Sequence, residues 1–272
     1  MQANRSPAAG GGPHAVFLHS TGMGPFMWRP FAEHLPESWV LHTPVHIGYP
    51  PGPLLPRGHA ASLQDDVEAV LQQLPTGVDE LHLGAHSYGA LVALKLALSG
   101  RAPVTSLWLY EPVMYGALRL QPSQPNADVA AEIERLYSHP AYQTIDAEEG
   151  GNDAWLQGFI EHWNGPGAWA AMPEGLKAKT RAVGWKMYME VRNQAADTAR
   201  FEDHRVGLPL TIVVGEHTTA AARAMAESLA RANPGARLEV LAGQGHMAPA
   251  TAFTSVAPSI LRHLAWATGE AA

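Results

Sequence analysis

Residues 81–98 read LHLGAHSYGALVALKLAL, and this stretch decides the fold. Leu81 to Ala85 is a short apolar run of the kind that forms a buried strand, and Ala90 to Leu98 is long and apolar enough for a buried helix. The tetrapeptide His86-Ser87-Tyr88-Gly89 lies between them. The segment therefore predicts a strand, a sharp turn and a helix, with the Ser87 hydroxyl pushed out above a sheet and the first amides of the helix pointing at the same place.

Apolar runs and helical patterns alternate on both sides of this unit. The other predicted strands are residues 15–18, 39–41, 105–110, 210–214 and 237–241. Further helices are predicted over residues 62–74, 219–232 and 256–266, and Ser62 with Asp65 has the spacing of a capping box. Strands that alternate with helices are typical of a mainly parallel sheet covered by helices, so the predicted fold class is α/β.

The alternation stops between Glu111 and about Val206, where the sequence is helical in character and broken by glycines. This indicates a flexible tail over residues 1–13, a core formed by residues 14–111 and 206–272, and a helical cap over residues 112–205. The predicted cap contains Trp155, Trp163, Trp169 and Trp185, with Phe159, Tyr188 and Met189 beside them. These aromatic side chains either cover a site on the core or fill the interior of the cap itself.

Composition excludes several classes of function. The chain has 272 residues, 18 Lys+Arg against 25 Asp+Glu, a net charge of -7, 46% hydrophobic residues and no cysteine. A basic surface for nucleic acid is not expected, and disulfides, cysteine-bound metals and a thiol nucleophile are ruled out. The sequence has neither a secretory signal nor an apolar run that could span a membrane, so we expect a cytoplasmic protein without a membrane partner.

A serine needs a base, and His246 is the candidate among the 14 histidines. It lies in the loop Gly243-Gln-Gly-His-Met247, just after the last predicted strand, and the loops at that edge of a parallel sheet form its sites. His86, next to the serine, is expected to pack under the turn. Surface positions are predicted for four others: His34, His139, His204 and His263.

These features, together with Leu18-His-Ser-Thr-Gly22, resemble those of the α/β-hydrolase fold superfamily. The resemblance implies that Ser87 is a nucleophile, that His246 is its base, and that the amides of Thr21 and Tyr88 form an oxyanion hole. The sequence departs from the family pattern at Ala85 and Ser20, where glycine is usual, and the two opening strands of the family are missing or truncated.

The third member of a triad is open to two interpretations. The usual position of the acid, after the strand before the last, is occupied by Thr218. A second position, used in a branch of the haloalkane dehalogenases, follows the strand after the nucleophile strand and is occupied here by Glu111. We favour Glu111, with Glu216 as the alternative.

A serine nucleophile implies an acyl-enzyme, so hydrolysis of a small to medium hydrophobic carboxylic ester is the expected reaction. Carbon-carbon bond hydrolysis, perhydrolysis, acyl transfer and plain ligand binding are the alternatives on this fold. The predicted pocket walls are Phe26, Met27, Trp28, Trp163 and Met247. No cofactor is expected, and no metal, because His42, His46 and His59 lack the spacing of a ligand set.

Overall fold

The computed structural model describes residues 12–120, 126–138 and 150–269. In this part of the chain six strands form one sheet in the order β2-β1-β3-β4-β5-β6, and every neighbouring pair is parallel. The strands are His14–Leu18 (β1), Val40–His42 (β2), Leu81–His86 (β3), Val104–Tyr110 (β4), Leu210–Gly215 (β5) and Arg237–Leu241 (β6). The predicted α/β class and the parallel sheet are therefore confirmed.

The described α-helices flank this sheet. They are Leu63–Leu71 (α1), Tyr88–Leu98 (α2), Tyr115–Leu120 (α3), Ala127–Ser138 (α4), Asp153–Asn164 (α5), Ala168–Ala171 (α6), Glu174–Ala196 (α7), Ala220–Ala232 (α8), Ala248–Thr251 (α9) and Phe253–Thr268 (α10). Two 3₁₀ helices span Pro25–Glu33 and Phe201–His204. The capping box predicted at Ser62 and Asp65 is present at the start of α1.

The strand order places a crevice between β1 and β3. From β1 the chain continues to β2 on one side, whereas β3, β4, β5 and β6 follow one another on the other side. Loops that leave β1 and β3 therefore diverge, and ligands bind at such a reversal point beyond the carboxyl ends of the strands. Ser87 follows β3 directly, and the loop that contains Thr21 follows β1.

The two faces of the sheet pack against different helices, because successive strand residues point to opposite sides. One face contributes Val16 and Leu18 to a core shared with α1, α2 and α8. The other contributes Phe17 and Trp108 to a core shared with α10 and the first 3₁₀ helix. Strand β3 packs in the first core and β4 in both, so the strand ends from which the site is built are anchored in the interior.

Along the chain, helices α3 to α7 come after β4 and before β5, in the segment predicted to be helical. Their aromatic residues form a third cluster that includes Trp155, Trp169, Trp185 and Tyr188, and Tyr49 of the loop after β2 joins it. The described residues contain no helix that is long and apolar enough to cross a membrane. The predicted tail lies outside the described residues, except for its last two positions.

Two of the four histidines predicted at the surface are buried instead. His204 and His263 are 1% and 2% exposed. The prediction for His263 was wrong because α10 packs on the sheet and brings its Nδ1 to 2.9 Å from the Thr211 hydroxyl. His34 is exposed, and His139 lies outside the described residues.

Candidate active site

The turn between β3 and α2 holds Ser87 in a conformation that non-glycine residues rarely adopt, with φ 57° and ψ −122°. The helix that follows passes very close to the loop after β1, since a Cβ at Gly89 would lie 2.4 Å from the His19 carbonyl oxygen. Ala85 is fully buried in the strand before the turn. The turn therefore accepts alanine at this position, whereas Gly89 is required for the close approach.

A positive φ marks a second position of the site. Among the described non-glycine residues, only Ser87 and Glu111 have positive φ, and that of Glu111 is 44°. Such conformations cost about 1–3 kcal/mol each and persist where the surrounding structure imposes them. Here neighbouring strands hold both residues: the Ser87 amide donates to the Tyr110 carbonyl at 3.0 Å, and the Glu111 amide donates to the Val213 carbonyl at 2.8 Å.

The structure brings Ser87, His246 and Glu111 into one chain of hydrogen bonds, which we call the Ser87 triad. The Nε2 atom of His246 lies 3.1 Å from Ser87 Oγ, and its Nδ1 atom lies 2.7 Å from Glu111 Oε2. All three residues are buried. Because a carboxylate only accepts, Nδ1 carries the proton, which leaves Nε2 free to accept from the serine hydroxyl.

Two neutral donors fix the Glu111 carboxylate from the side of β5. The Gly215 amide donates to Oε1 at 2.8 Å, and the Thr218 hydroxyl donates to Oε2 at 2.6 Å. Thr218, which occupies the usual position of the acid in the superfamily, thus donates to the carboxylate of Glu111, which follows the neighbouring strand β4. The alternative acid, Glu216, accepts instead from the Gly243 amide at 2.7 Å in an exposed loop.

Aromatic rings surround the imidazole of His246. Trp163 stacks on it with 3.7 Å between ring centroids and 21° between planes, and His86 lies 4.7 Å from it. Burial lowers the pKa of His86 well below its ordinary value and lowers that of His162 to about 3. Both neighbours are therefore neutral at pH 7.

The predicted oxyanion donors lie on either side of the crevice. Thr21 follows β1, Tyr88 opens α2, and both residues line the same cavity as Ser87. Neither amide donates a hydrogen bond to another residue within the described ranges. Two unused amides next to a serine are the arrangement that can stabilise a developing negative charge.

The cavity above Ser87 has a volume of about 650 Å³. Its apolar lining comes mainly from the segment that joins β4 to β5: Val113, Leu136, Trp155, Phe159, Trp163 and Tyr188. Polar groups from the same helices also line it: Tyr115, Arg119, His162, Arg192 and Gln194. Apart from Trp155, Trp163, Phe159 and Tyr188, which the sequence marked as aromatics of the cap, these residues lack a motif that could have identified them.

Four of the five predicted pocket residues do not line this cavity. Met27 and Trp28 are 4% and 0% exposed, and the Trp28 ring packs edge-on against Trp108 below the sheet. Phe26 is 50% exposed, and Met247 lies before α9. The prediction was wrong for Met27 and Trp28 because the 3₁₀ helix turns both towards the core, and for Phe26 because its side chain points away from the cavity into solvent. Trp163 does line the cavity.

The described residues hold no group of three or more side chains suited to a metal ion. The three histidines that the sequence places close together have different surroundings. His42 lies 2.8 Å from His14, His46 is buried against His19, and His59 is exposed.

Comparison with known proteins places this geometry in a family. Residues 15–256 match the model of the Alpha/beta hydrolase family. Similar solved structures include an alpha/beta hydrolase from Sphaerobacter thermophilus, with a TM-score of 0.66 and 22% identity over 94% of this chain and 93% of that chain. The enol-lactonase from Burkholderia xenovorans LB400 gives 0.64 and 18%, over 94% and 92%.

A thermophilic esterase from Thermogutta terrifontis gives a TM-score of 0.65 and 17% identity, over 94% of this chain and 90% of that chain. No curated protein matches the sequence. At these identities the solved structures support the fold alone, whereas the family model matches nearly the whole chain. The chain therefore belongs to the alpha/beta hydrolase family.

Proposed function

We propose that this protein is a serine hydrolase that cleaves a small to medium hydrophobic carboxylic ester through an acyl-enzyme on Ser87. The observation that carries the proposal is the hydrogen-bonded Ser87 triad, which opens into a largely apolar cavity. The rare backbone conformations of Ser87 and Glu111 support it, because strained residues cluster at sites of chemistry.

In the proposed acylation step, Ser87 Oγ attacks the ester carbonyl carbon while its proton passes to His246 Nε2. The amides of Thr21 and Tyr88 stabilise the oxyanion of the tetrahedral intermediate. Glu111 stabilises the imidazolium that forms and keeps the ring in the required orientation. The intermediate then collapses, and the leaving alcohol takes the proton from His246.

Deacylation repeats these roles with water. His246 removes a proton from a water molecule that attacks the acyl carbon, and the second tetrahedral intermediate collapses to the free acid as Ser87 Oγ takes that proton back from His246. Apart from the ester and water, the proposed steps use only groups of this chain. A lactone, which is a cyclic ester, would follow the same two steps.

The cavity sets the expected size of the substrate. A volume of about 650 Å³ lies within the usual range of small-molecule pockets, roughly 300–1,000 Å³. Aromatic side chains such as Trp155 and Phe159 favour an apolar acyl group. We therefore expect short and medium acyl esters to be hydrolysed faster than emulsified long-chain triglycerides.

The test is hydrolysis of p-nitrophenyl acetate, butyrate and octanoate by the wild type, Ser87→Ala and Ser106→Ala. Ser106 is the matched control, since it is a buried serine that bonds His82 and His263 and does not line the cavity. We expect Ser87→Ala to lose turnover and Ser106→Ala to keep it. A folded wild type that hydrolyses none of the esters would contradict the proposal and favour carbon-carbon hydrolysis, perhydrolysis, acyl transfer or ligand binding.

A further inference from the structure

A second buried group of charges lies next to the Ser87 triad and has no part in the steps above. Asp66 of α1 and Lys186 and Glu190 of α7 are 0%, 1% and 0% exposed, and we call them the Lys186 cluster. The Lys186 ammonium nitrogen lies 2.6 Å from Asp66 Oδ2 and 3.0 Å from Glu190 Oε1. None of the three lines the cavity, so they are not placed to touch a substrate there.

Two tyrosine hydroxyls connect this cluster to the two sides of the proposed oxyanion hole. Tyr88 donates its hydroxyl to Asp66 Oδ2 at 2.8 Å, and its own amide is one of the two oxyanion donors. Tyr49 donates its hydroxyl to Glu190 Oε2 at 2.9 Å and accepts from the Gly22 amide at 3.0 Å. Gly22 directly follows Thr21, whose amide is the other donor.

Helix α7 also packs directly against the loop after β1. Gly22 has φ 76°, and a Cβ there would lie 2.8 Å from Met187 Cε. Met187 lies next to Lys186 in α7 and is fully buried. The loop that carries Thr21 therefore contacts α7 in three ways: through the hydroxyl of Tyr49, through this packing contact, and through the Thr21 side chain, which hydrogen-bonds Glu190.

Lys186 and Glu190 remain charged although they are buried, whereas burial raises the pKa of Asp66 above its ordinary value. Burial alone would lower the pKa of Lys186, but the charges of Glu190 and Asp66 outweigh burial and raise it. Burial would raise the pKa of Glu190, but the Lys186 charge holds it at about 2. His46 Nδ1 lies 3.8 Å from Glu190 Oε1, and His19, whose ring packs on that of His46, has a pKa lowered by burial to about 3 and is neutral at pH 7.

Buried charges are costly, and their best-attested use is to specify one arrangement of the elements that carry them. An oxyanion hole requires such an arrangement, because its donors must lie about 2.7–3.1 Å from the position that the oxyanion will occupy. Tyr88 opens α2 and Thr21 follows β1, so no single element of the fold fixes the separation of their amides. The Lys186 cluster connects to both.

We propose that Asp66, Lys186 and Glu190 are positioning residues which, through Tyr49 and Tyr88, set the relative placement of the two oxyanion-hole amides. The inference rests on the proposed hydrolase function. On this proposal the geometry of the oxyanion hole depends on the sheet and also on how α7, a helix of the segment that joins β4 to β5, packs against the core.

The decisive variant is Tyr49→Phe, which keeps the ring and removes the hydroxyl that joins Gly22 to Glu190. We expect kcat on p-nitrophenyl butyrate to fall about 10- to 100-fold, with KM within about threefold, because the loss falls on the transition state. The affinity for a trifluoromethyl ketone, which forms a tetrahedral adduct on the serine, should fall in parallel with kcat/KM.

The matched control is Thr211→Val. It removes a buried hydroxyl of β5 that bonds His263 of α10 and does not belong to the Lys186 cluster. We expect Thr211→Val to lose about as much thermal stability as Tyr49→Phe and to keep the kcat of the wild type. Lys186→Met should lower kcat at least as much as Tyr49→Phe, and Lys186→Arg should restore part of it because it returns the positive charge. If Lys186→Met does not fold, the comparison of Tyr49→Phe with Thr211→Val still decides.

The inference is overturned if the wild type hydrolyses the ester and Tyr49→Phe keeps its kcat and its affinity for the ketone. In that case the cluster only stabilises the fold. A wild type that hydrolyses no ester and forms no adduct with the ketone would overturn the proposed function, and this inference with it.

Discussion

Two groups of buried charged or ionisable side chains lie beside the same nucleophile candidate, and they are built in different ways. The Ser87 triad comes from loops at the ends of parallel strands, where Ser87 follows β3, Glu111 follows β4 and His246 follows β6. The Lys186 cluster comes from the sides of two helices, with Asp66 on α1 and Lys186 on α7. Strand ends meet by topology, whereas helix sides meet only through tertiary packing.

The partners of the carboxylates also differ. Glu111 is held by neutral donors, the Gly215 amide and the Thr218 hydroxyl, and by the ring of His246. Asp66 shares the permanent positive charge of Lys186 with Glu190. Only the first arrangement lets a positive charge appear and disappear during a reaction. This contrast is why we assign proton transfer to the triad and positioning to the cluster.

Replacement of the base should give the largest effect. His246→Ala removes the proton acceptor of Ser87, and by analogy with known serine triads kcat should fall about 10⁶-fold. Hydrolysis of p-nitrophenyl butyrate measures it, with the buried His263→Gln variant as a control for loss of a histidine. Turnover within tenfold of the wild type in His246→Ala would remove the distinction between triad and cluster.

The next effect concerns the acid. Glu111→Gln should lower kcat by about 10⁴-fold, because an amide at this position favours the wrong tautomer of the imidazole. Glu216→Gln should change kcat less than about twofold, since Glu216 bonds the Gly243 amide in an exposed loop. The two variants are measured side by side on the same ester. A larger loss in Glu216→Gln than in Glu111→Gln would reverse the assignment.

The hydroxyl that supports the acid should have a smaller effect. Thr218→Val keeps the shape of the side chain and removes the donor to Glu111 Oε2. Hydrogen bonds to charged groups contribute about 1.5–3 kcal/mol, so kcat should fall about 10- to 100-fold. The same change at Thr251, whose hydroxyl bonds the Met247 carbonyl in an exposed position, is the control. Equal kcat values in the two variants would show that Glu111 does not depend on Thr218.

The smallest effect is on stability and concerns the neutral histidines beside the two groups. Burial lowers the pKa of His19, next to the cluster, and of His162, next to the triad, to about 3. In the unfolded chain the two imidazoles bind protons near pH 6.5, whereas in the folded protein they stay neutral down to about pH 3. The free energy of unfolding therefore has its full value above pH 6.5 and falls as the pH is lowered towards 3. We expect the free energy of unfolding to decrease between pH 6.5 and 5.

Urea unfolding at several pH values measures this decrease. His19→Gln should reduce the slope of the free energy of unfolding against pH by up to about 1.4 kcal/mol per pH unit, whichever way it changes stability at pH 7. The exposed His34→Gln variant is the control. A stability that is constant from pH 6.5 to 5 would contradict the neutral state assigned to the buried rings.

Much of the fold could be predicted because it follows from short-range patterns. Apolar runs gave strands close to those observed, and Ser62 with Asp65 gave a helix start. The proximity of Ser87, His246 and Glu111 was also predictable, because parallel strands bring their carboxyl ends to one edge of the sheet. Their roles in a reaction are the proposal made above.

The rest depends on which way a helix faces, and the sequence does not mark that direction. Trp28 was predicted to face the pocket, but it packs against Trp108 in the core. His263 was predicted at the surface, but α10 buries it against β5. Lys186 and Asp66 are far apart in the chain and belong to no motif, so their contact could be found only in the structure.

The most direct test of the account is covalent labelling with a fluorophosphonate, followed by mass spectrometry of the peptides. This reagent reacts with a serine that has both a base and an oxyanion hole. We predict a single modification at Ser87, loss of ester hydrolysis in step with labelling, much slower labelling of Glu111→Gln, and no labelling of Ser87→Ala. A folded protein that is not labelled, or is labelled at another residue while it hydrolyses esters, would contradict the assignment of Ser87 as the nucleophile.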